Sequence, residues 1–140
     1  MLQNKLGIVP FEGEANISSI TEYKKDDILI SNIRPYLKKI WFADKDGGCS
    51  KDVLVLRSAD TNKYLPKYIF YMLRRDVFFD YVMEGNKEDI LKYRIPIPSS
   101  IDEQMRIVSQ IEALESEITK ARNLIENTAS EKQTILDKYL

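Results

Sequence analysis

The chain has 140 residues, of which 44% are apolar and 31% are charged, and its formal net charge is −1. Residues 1–100 carry 16 basic against 14 acidic side chains and residues 101–140 carry 5 against 8, so neither part has the strongly basic composition of a highly charged DNA-binding domain. No apolar run approaches the roughly 20 residues of a membrane span and the N-terminus lacks a signal-peptide pattern, so we expect a soluble, cytoplasmic protein with no membrane contact.

The first part of the chain is predicted to be rich in strands. Its first twenty residues, with Gly7, Pro10 and Gly13, are typical of irregular or edge structure. Beyond them, β-branched and alternating residues predict strands at 27–33, 37–43 and 52–57, the last apolar enough to be buried on both faces. The Asp- and Gly-rich residues 44–48 predict a turn. We expect the core to lie around four strand residues: Ile28, Ile30, Val53 and Val55.

A helical period follows the strands. Ile69, Met72 and Leu73 recur at spacings of three and four, and Pro66 suits a first turn, so one helix is predicted from about Pro66 to Val82. The aromatic residues of this segment are more typical of a core than of stacking platforms; they are Phe70, Tyr71, Phe78, Phe79 and Tyr81. The sequence "YRIPIP" at 93–98 predicts a short, extended return strand. This order of elements indicates an α+β domain with a mostly β core over residues 1–98.

Residues 99–140 predict a separate, long coiled-coil helix. Ser100 and Glu103 form a capping box, and Pro98 prevents an earlier start. Apolar residues then recur in alternating steps of four and three, which is the heptad seam of a coiled coil; they are Ile107, Ile111, Leu114, Ile118, Ala121, Ile125, Ile135 and Tyr139. Polar Thr128 and Lys132 interrupt the seam at a cost in stability and could fix its register. A helix of about 38 residues is roughly 57 Å long, so a partner helix is expected.

Two segments of the chain resemble the specificity (S) subunits of type I restriction–modification systems. In the first, residues 95–118, the matching positions are Pro96, Pro98, Glu103, Gln104, Ile107 and Val108, where the family joins a proline-bearing strand to a conserved spacer helix. The second is residues 26–57, "DDILISNIRPYLKKIWFADKDGGCSKDVLVLR", which resembles the C-terminal half of a target recognition domain. With the intervening helix, the resemblance covers about residues 20–125. A whole S subunit has two recognition domains and two spacer helices, so the resemblance implies a half-sized subunit, a truncated product or a fragment.

The resemblance implies double-stranded DNA as a ligand. A first group of candidate DNA-binding residues surrounds the second predicted strand; its members are Ser31, Asn32, Arg34, Tyr36, Lys38 and Lys39. Arginine can pair with guanine edges or phosphate, lysine neutralises phosphate, and the other side chains can add hydrogen bonds. In the alternative interpretation, Arg34 braces the fold and the lysines form a solvated turn.

Two smaller groups are also candidates. Ser50 and Lys51 follow the predicted glycine turn at 47–48, where the backbone can approach a partner closely, although the aspartates Asp44, Asp46 and Asp52 would repel phosphate. A last group, placed by its position in the family, consists of Lys87, Lys92 and Arg94. These three side chains are equally compatible with an ordinary charged surface.

No feature of the sequence predicts catalysis. The chain has no histidine, and its single cysteine, Cys49, lacks a histidine or cysteine partner. No phosphate-binding glycine loop occurs, and nothing resembles the Asn-Pro-Pro-aromatic motif of DNA adenine methyltransferases. The "DKD" sequence at 44–46 is weak support for Mg²⁺, since no Glu-x-Lys follows it. We therefore expect a non-catalytic protein without a cofactor or metal.

Two functions remain open from the sequence. The chain could be a DNA-recognition component that guides a methyltransferase (M) subunit and, through it, a restriction (R) subunit. Alternatively, it could be a truncated interaction module that uses its helix without reading DNA. In either case the unpartnered seam predicts an antiparallel homodimer or pairing with another spacer helix.

Overall fold

The computed structural model describes residues 2–3, 7–8, 20–31, 37–84 and 90–139. The chain divides into two compact units, Met1–Met105 and Arg106–Leu140. The strands are β1 Leu2–Gln3, β2 Gly7–Ile8, β3 Ile20–Tyr23, β4 Ile28–Ser31, β5 Ile40–Phe42, β6 Gly47–Ser50 and β7 Val53–Leu56. The helices are α1 Pro66–Leu73, α2 Asp76–Glu84 and α3 Ile101–Tyr139. Antiparallel strands, then helices and a long C-terminal helix confirm the predicted α+β class.

A three-stranded antiparallel sheet in the order β5-β4-β7 organises the first unit. The strands predicted at 27–33, 37–43 and 52–57 are present as β4, β5 and β7, and residues 32 and 33 of the first prediction lie outside the described residues. Successive side chains of β4 point to opposite faces, so Ile28 and Ile30 join the main core while Leu29 packs with Tyr23 and Ala43 on the other face. In β7, Leu54 and Leu56 pack on the main core and Val53 and Val55 on the second cluster. The prediction that this strand is covered on both faces is confirmed.

The main core differs from the predicted one in its composition. Val53 and Val55 do not share it with Ile28 and Ile30, because they occupy the opposite face of the sheet. Helical side chains complete it instead, chiefly Phe78, Phe79 and Val82 of α2, which are 1–3% exposed. The core is therefore built between a sheet and helices rather than from strands alone.

The glycine pair at 47–48 lies in a strand, and the prediction that it forms the turn is wrong. The turn is confined to residues 44–46, and β6 pairs antiparallel with β3, with Gly47 opposite Tyr23 and Gly48 opposite Glu22. A Cβ atom on Gly47 would collide with the ring of Tyr23, and one on Gly48 with the side chain of Ile20. Glycine is needed here for close packing across the strands rather than for a special turn conformation.

The single helix predicted from Pro66 to Val82 is two helices, α1 and α2. Arg74 and Arg75 interrupt it, and the amide of Phe78 already donates to the carbonyl of Arg75 in the next turn. Leu73 and Phe78 are both buried, yet five positions along a continuous helix would place them about 140° apart. The interruption rotates α2, so that both residues face the same core.

Residues 93–98 form no strand, contrary to the predicted return strand. Pro96 and Pro98 lack the amide donors of a β ladder. Side chains hold the segment instead: Tyr93 packs edge-to-face against Phe78 with ring centroids 5.0 Å apart, and the Tyr68 hydroxyl donates to the Pro96 carbonyl at 2.7 Å. The segment is fixed by tertiary contacts.

The long helix predicted from Ser100 is confirmed as α3, which has 39 residues. The amide of Glu103 donates to the Ser100 hydroxyl at 3.4 Å, as expected of the capping serine. In the described part of the chain, α3 included, no helix is both long and apolar enough to cross a membrane.

Candidate nucleic-acid interface

Several of the predicted DNA-binding residues lie outside the described residues. They are Asn32, Arg34, Tyr36 and Lys87. The described candidates are Ser31, Lys38, Lys39, Ser50, Lys51, Lys92 and Arg94.

Strand pairing brings five of the described candidates to one end of the three-stranded sheet. Ser31, the last residue of β4, lies opposite Val53 of β7, and its amide donates to the carbonyl of Lys39 at 3.1 Å. Lys38 and Lys39 lead into β5, and Ser50 and Lys51 lead into β7. We call this group, Ser31, Lys38, Lys39, Ser50 and Lys51, the basic sheet end. Two segments that are distant in sequence therefore meet there.

Lys51 is exposed in the turn between β6 and β7. Asp52 remains next to it and accepts a 3.3 Å hydrogen bond from the Ser50 hydroxyl. The other two aspartates expected to repel phosphate, Asp44 and Asp46, precede β6. They lie far from Lys51, because the five positions from Asp46 to Lys51 span about 16 Å of extended chain. Asp46 is also paired elsewhere, because it accepts hydrogen bonds from the Lys25 amide at 2.8 Å and the Lys24 ammonium at 3.4 Å. Of the three aspartates expected to repel phosphate, Asp52 is therefore the one that lies at the basic sheet end.

Lys38 has an unusual backbone and a specific partner. Its φ of 50° lies in the left-handed region, which a lysine seldom adopts. Its ammonium donates to the Asp76 carboxylate, at the first residue of α2, over 2.8 Å. This hydrogen bond, together with the negative charges of Asp76 and Asp80, raises the pKa of Lys38. The lysine is thus fully charged and already holds an anion.

Lys92 and Arg94 form a separate exposed pair. The residue between them, Tyr93, packs against Phe78 and Tyr81 of α2, with ring centroids 5.0 and 5.1 Å away. The pair therefore belongs to the α2 side of the domain.

The aromatic residues of α1 and α2 mostly follow the prediction of a core role. Phe78 and Phe79 are each 1% exposed, and Phe70 packs against the main core. Tyr71 is half-buried, and the Arg74 guanidinium lies over its ring, 5.4 Å from the centroid. Tyr81 differs from the prediction, since it is 37% exposed, with its ring packed against that of Tyr93 at 5.1 Å.

Three buried or paired polar groups were not assigned from the sequence. Asp27, which is 1% exposed, accepts two hydrogen bonds from Arg57, at 2.7 Å from Nε and 2.6 Å from Nη2. Gln104 is fully buried, and Asp76 holds Lys38. Asp27 and Gln104 are positions of the family resemblance, but no pairing was predicted for Asp27 or Asp76, because their partners are 30 and 38 residues away.

Cys49 behaves as a packed residue. Its thiol donates to the Thr21 carbonyl at 3.4 Å, and burial raises its pKa. Such a thiol is a poor nucleophile, because the thiolate is the reactive form. Among the described residues, no three acidic or cysteine side chains converge into a group that could hold a metal ion.

The seam of α3 presents apolar side chains to solvent. Leu114, Ile118 and Ile125 are between 50% and 68% exposed, and Ile135 and Tyr139 are 59% and 77% exposed. Ala121 is also exposed, while Ile107 and Ile111 are half-buried. Leu124 and Leu136 flank the seam and are exposed as well. The hydroxyl of Thr128 donates to the Leu124 carbonyl at 2.8 Å, which reduces the cost of burying this polar seam position.

Comparison with known proteins gives consistent matches. Residues 13–127 match the family described as "Type I restriction modification DNA specificity domain". The type I restriction enzyme EcoDI specificity subunit of Escherichia coli is 30% identical over 103 residues, which cover 66% of this chain and 22% of that protein. The chain therefore spans about a fifth of the length of this curated relative.

Two solved structures share the fold. The HsdS subunit from Thermoanaerobacter tengcongensis superposes with a TM-score of 0.74 at 24% identity, covering 88% of this chain and 36% of that one. A chain from a structure of the type I R-M system, whose title concerns complex assembly and conformational transition, superposes with a TM-score of 0.64 at 25% identity, covering 78% of this chain and 31% of that one.

Proposed function

The chain belongs to the type I restriction–modification DNA specificity domain family, and from this premise we propose that it is the DNA sequence-recognition component of such a system. It positions a methyltransferase and a nuclease that are supplied by other chains. The component is itself non-catalytic, since the family is one of specificity domains. Its place of action is the cytoplasm, where it meets double-stranded DNA.

The observation that carries this proposal is the basic sheet end. Ser31, Lys39 and Lys51 lie at or next to the ends of β4, β5 and β7, at one end of the three-stranded sheet. Phosphate contacts of this kind fix the position and orientation of a protein on a duplex, while base contacts supply specificity. Because the net charge of the chain is −1, attraction to DNA must come from a local cluster rather than from the whole molecule.

The expected partners follow from the same premise. The M subunit binds this component, and the R subunit joins through M. One of the structural relatives comes from a study of type I complex assembly. The exposed seam of α3 supplies a surface for a second spacer helix, either from another copy of this chain or from another subunit.

Substitution at the basic sheet end tests DNA binding. In the complex with the methyltransferase, Lys39→Ala with Lys51→Ala should weaken binding to a mixed-sequence duplex. The slope of log K against log salt should flatten by about 0.9 for each lost phosphate contact. The measurement is fluorescence anisotropy of labelled DNA at several salt concentrations.

The matched control is Lys25→Ala with Lys45→Ala, which removes two exposed lysines at the opposite end of the sheet. It should retain nearly the wild-type slope. Wild-type affinity and slope in the Lys39/Lys51 variant would remove this surface from the DNA interface.

The alternative function is an interaction module that pairs through α3 without reading DNA. The exposed apolar seam of α3 favours it. The same experiment separates the two functions, since an interaction module would assemble with its partner and leave DNA affinity unchanged by either pair of substitutions.

A further inference from the structure

Lys38 is held in place by two features of the described structure. Its backbone has a left-handed φ of 50°, two residues before β5 begins. Its ammonium is bonded at 2.8 Å to Asp76, which lies 38 residues further along the chain. Unfavourable backbone conformations of this kind often accompany functional positions.

The ion pair between Lys38 and Asp76 can be exchanged for another at low cost. The Asp76 carboxylate is 67% exposed, and the Lys38 side chain is 31% exposed. An ion pair whose carboxylate is exposed in this way contributes little to stability and is screened by salt. A carboxylate bonded to an ammonium also offers the same charge-assisted contact as a phosphate oxygen. A DNA phosphate can therefore replace Asp76 at small cost.

A second carboxylate strengthens this interpretation. Asp80, one turn further along α2, is exposed and acts electrostatically on Lys38. The start of α2 thus places two negative charges beside the basic sheet end. These charges oppose the approach of DNA, and Lys38 partly neutralises them while the pair is intact.

We propose that Asp76 is an internal competitor of DNA phosphate, holding Lys38 in the free protein and releasing it to the duplex on binding. The inference rests on the proposed function, and it assigns to Asp76 the role of weakening the sequence-independent attraction to DNA. Its effect is to lower affinity for phosphate at any sequence, so that binding depends more on base contacts.

The test measures the four members of a cycle: wild type, Asp76→Asn, Lys38→Ala and the double variant. Each is assembled with the methyltransferase and titrated with a labelled mixed-sequence duplex, because phosphate contacts do not require the target sequence. Asp76→Asn should tighten binding about two- to fivefold, the range expected for loss of one exposed ion pair. It should leave the salt slope unchanged, whereas Lys38→Ala should flatten the slope by about 0.9.

Asp80→Asn is the matched control, since it removes the same charge one turn away. In the Lys38→Ala background, the gain in DNA affinity from Asp76→Asn should fall to the gain produced by Asp80→Asn. Should Asp76→Asn lower the thermal unfolding temperature, Asp76→Ser, which also suits a helix start, takes its place.

A wild-type salt slope in Lys38→Ala would overturn the proposal. The proposal would also be overturned if Asp76→Asn raised DNA affinity by the same factor in the Lys38→Ala variant, because Asp76 would then act only as a surface charge. Both results leave the proposed function standing if Lys39→Ala with Lys51→Ala still weakens binding. Loss of that effect would instead reject the DNA interface itself.

Discussion

Asp27 shows how a single buried charge can organise the start of a strand. Its carboxylate is 1% exposed and accepts hydrogen bonds from the Arg57 guanidinium and, at 2.7 Å, from the Lys24 amide. The Arg57 hydrogen bond is the main reason that the pKa of Asp27 is lowered, against the opposing effect of burial. Arg57 follows β7 and Asp27 precedes β4, so the pair joins the two strands at the end opposite the basic sheet end.

This pair predicts a specific dependence of stability on pH. Because the pKa of Asp27 is lower in the folded state, its contribution to stability is present above the unfolded pKa of about 4 and is lost as the pH falls through the lower folded value. Asp27→Asn should reduce the free energy of unfolding by about 2 kcal/mol at pH 7, and by progressively less below about pH 4. Urea unfolding across this pH range measures both effects.

Asp44→Asn is the control, because Asp44 is an exposed aspartate at the same end of the sheet. It should leave stability at pH 7 nearly unchanged. A constant difference between wild type and Asp27→Asn at every pH would contradict the role given to the Asp27 charge.

Among the elements, the start of α3 is defined by more than its capping serine. Gln104, in the first turn of α3, is fully buried. Its side-chain amide donates to the carbonyls of Lys63 and Pro98, each at 2.8 Å, and its side-chain oxygen accepts from the Leu65 amide at 2.8 Å. One side chain therefore ties the loop before α1, the proline segment and the helix start together within the first unit.

Removing this side-chain amide should be costly. Gln104→Leu has a similar volume but leaves the Leu65 amide and two carbonyls without their partner. Each buried unsatisfied group costs about 1–3 kcal/mol, so we expect a loss of roughly 2–4 kcal/mol in the free energy of unfolding after partial relaxation. Chemical denaturation monitored by the fluorescence of Trp41 gives the value.

Gln110→Leu makes the same change on an exposed position of the same helix and should cost little. Equal stabilities for the two variants would mean that Gln104 does not hold these segments together.

At the scale of the whole molecule, the described structure leaves one large apolar surface without cover. The seam residues of the second unit are exposed over most of the length of α3, and α3 has 39 residues. Burying a side chain of this size contributes roughly 1.5–3 kcal/mol. The antiparallel homodimer expected from the heptad pattern remains a proposal, and it would bury the same surface on both copies, as two-fold symmetry requires.

Charged substitutions in the seam test this proposal. Ile111→Asp with Ile118→Asp should convert a dimer to a monomer, because two buried carboxylates per helix would lose their hydration without a partner. Sedimentation velocity gives the oligomeric state, and circular dichroism checks that the first unit remains folded.

Ser109→Asp with Ser116→Asp places the same charges on the outer face of the helix, two residues away from the seam, and should leave the dimer intact. A wild-type monomer at micromolar concentrations would instead favour a chain that pairs with a helix of another subunit.

The sequence by itself determined the features that depend on local pattern. Alternation predicted β4, β5 and β7, and the Pro98–Ser100–Glu103 arrangement predicted the start of α3. The order of two family segments predicted membership of the specificity domain family. The strand and helix predictions depend on residues within a few positions of one another, where backbone geometry and side-chain period are directly readable, and the family prediction depends on two continuous segments in a fixed order.

Only the tertiary structure decided which residues meet across the fold. The glycines of β6 face Tyr23 and Ile20, the break between α1 and α2 serves a shared core, and Gln104 bonds to residues 39 and 41 positions away. Lys38, which the sequence placed among the DNA-binding candidates, is paired with Asp76, the first residue of α2, 38 positions away. Such contacts cannot be read from spacing, because the chain separations are large and the partners are selected by how sheet and helices pack around one core.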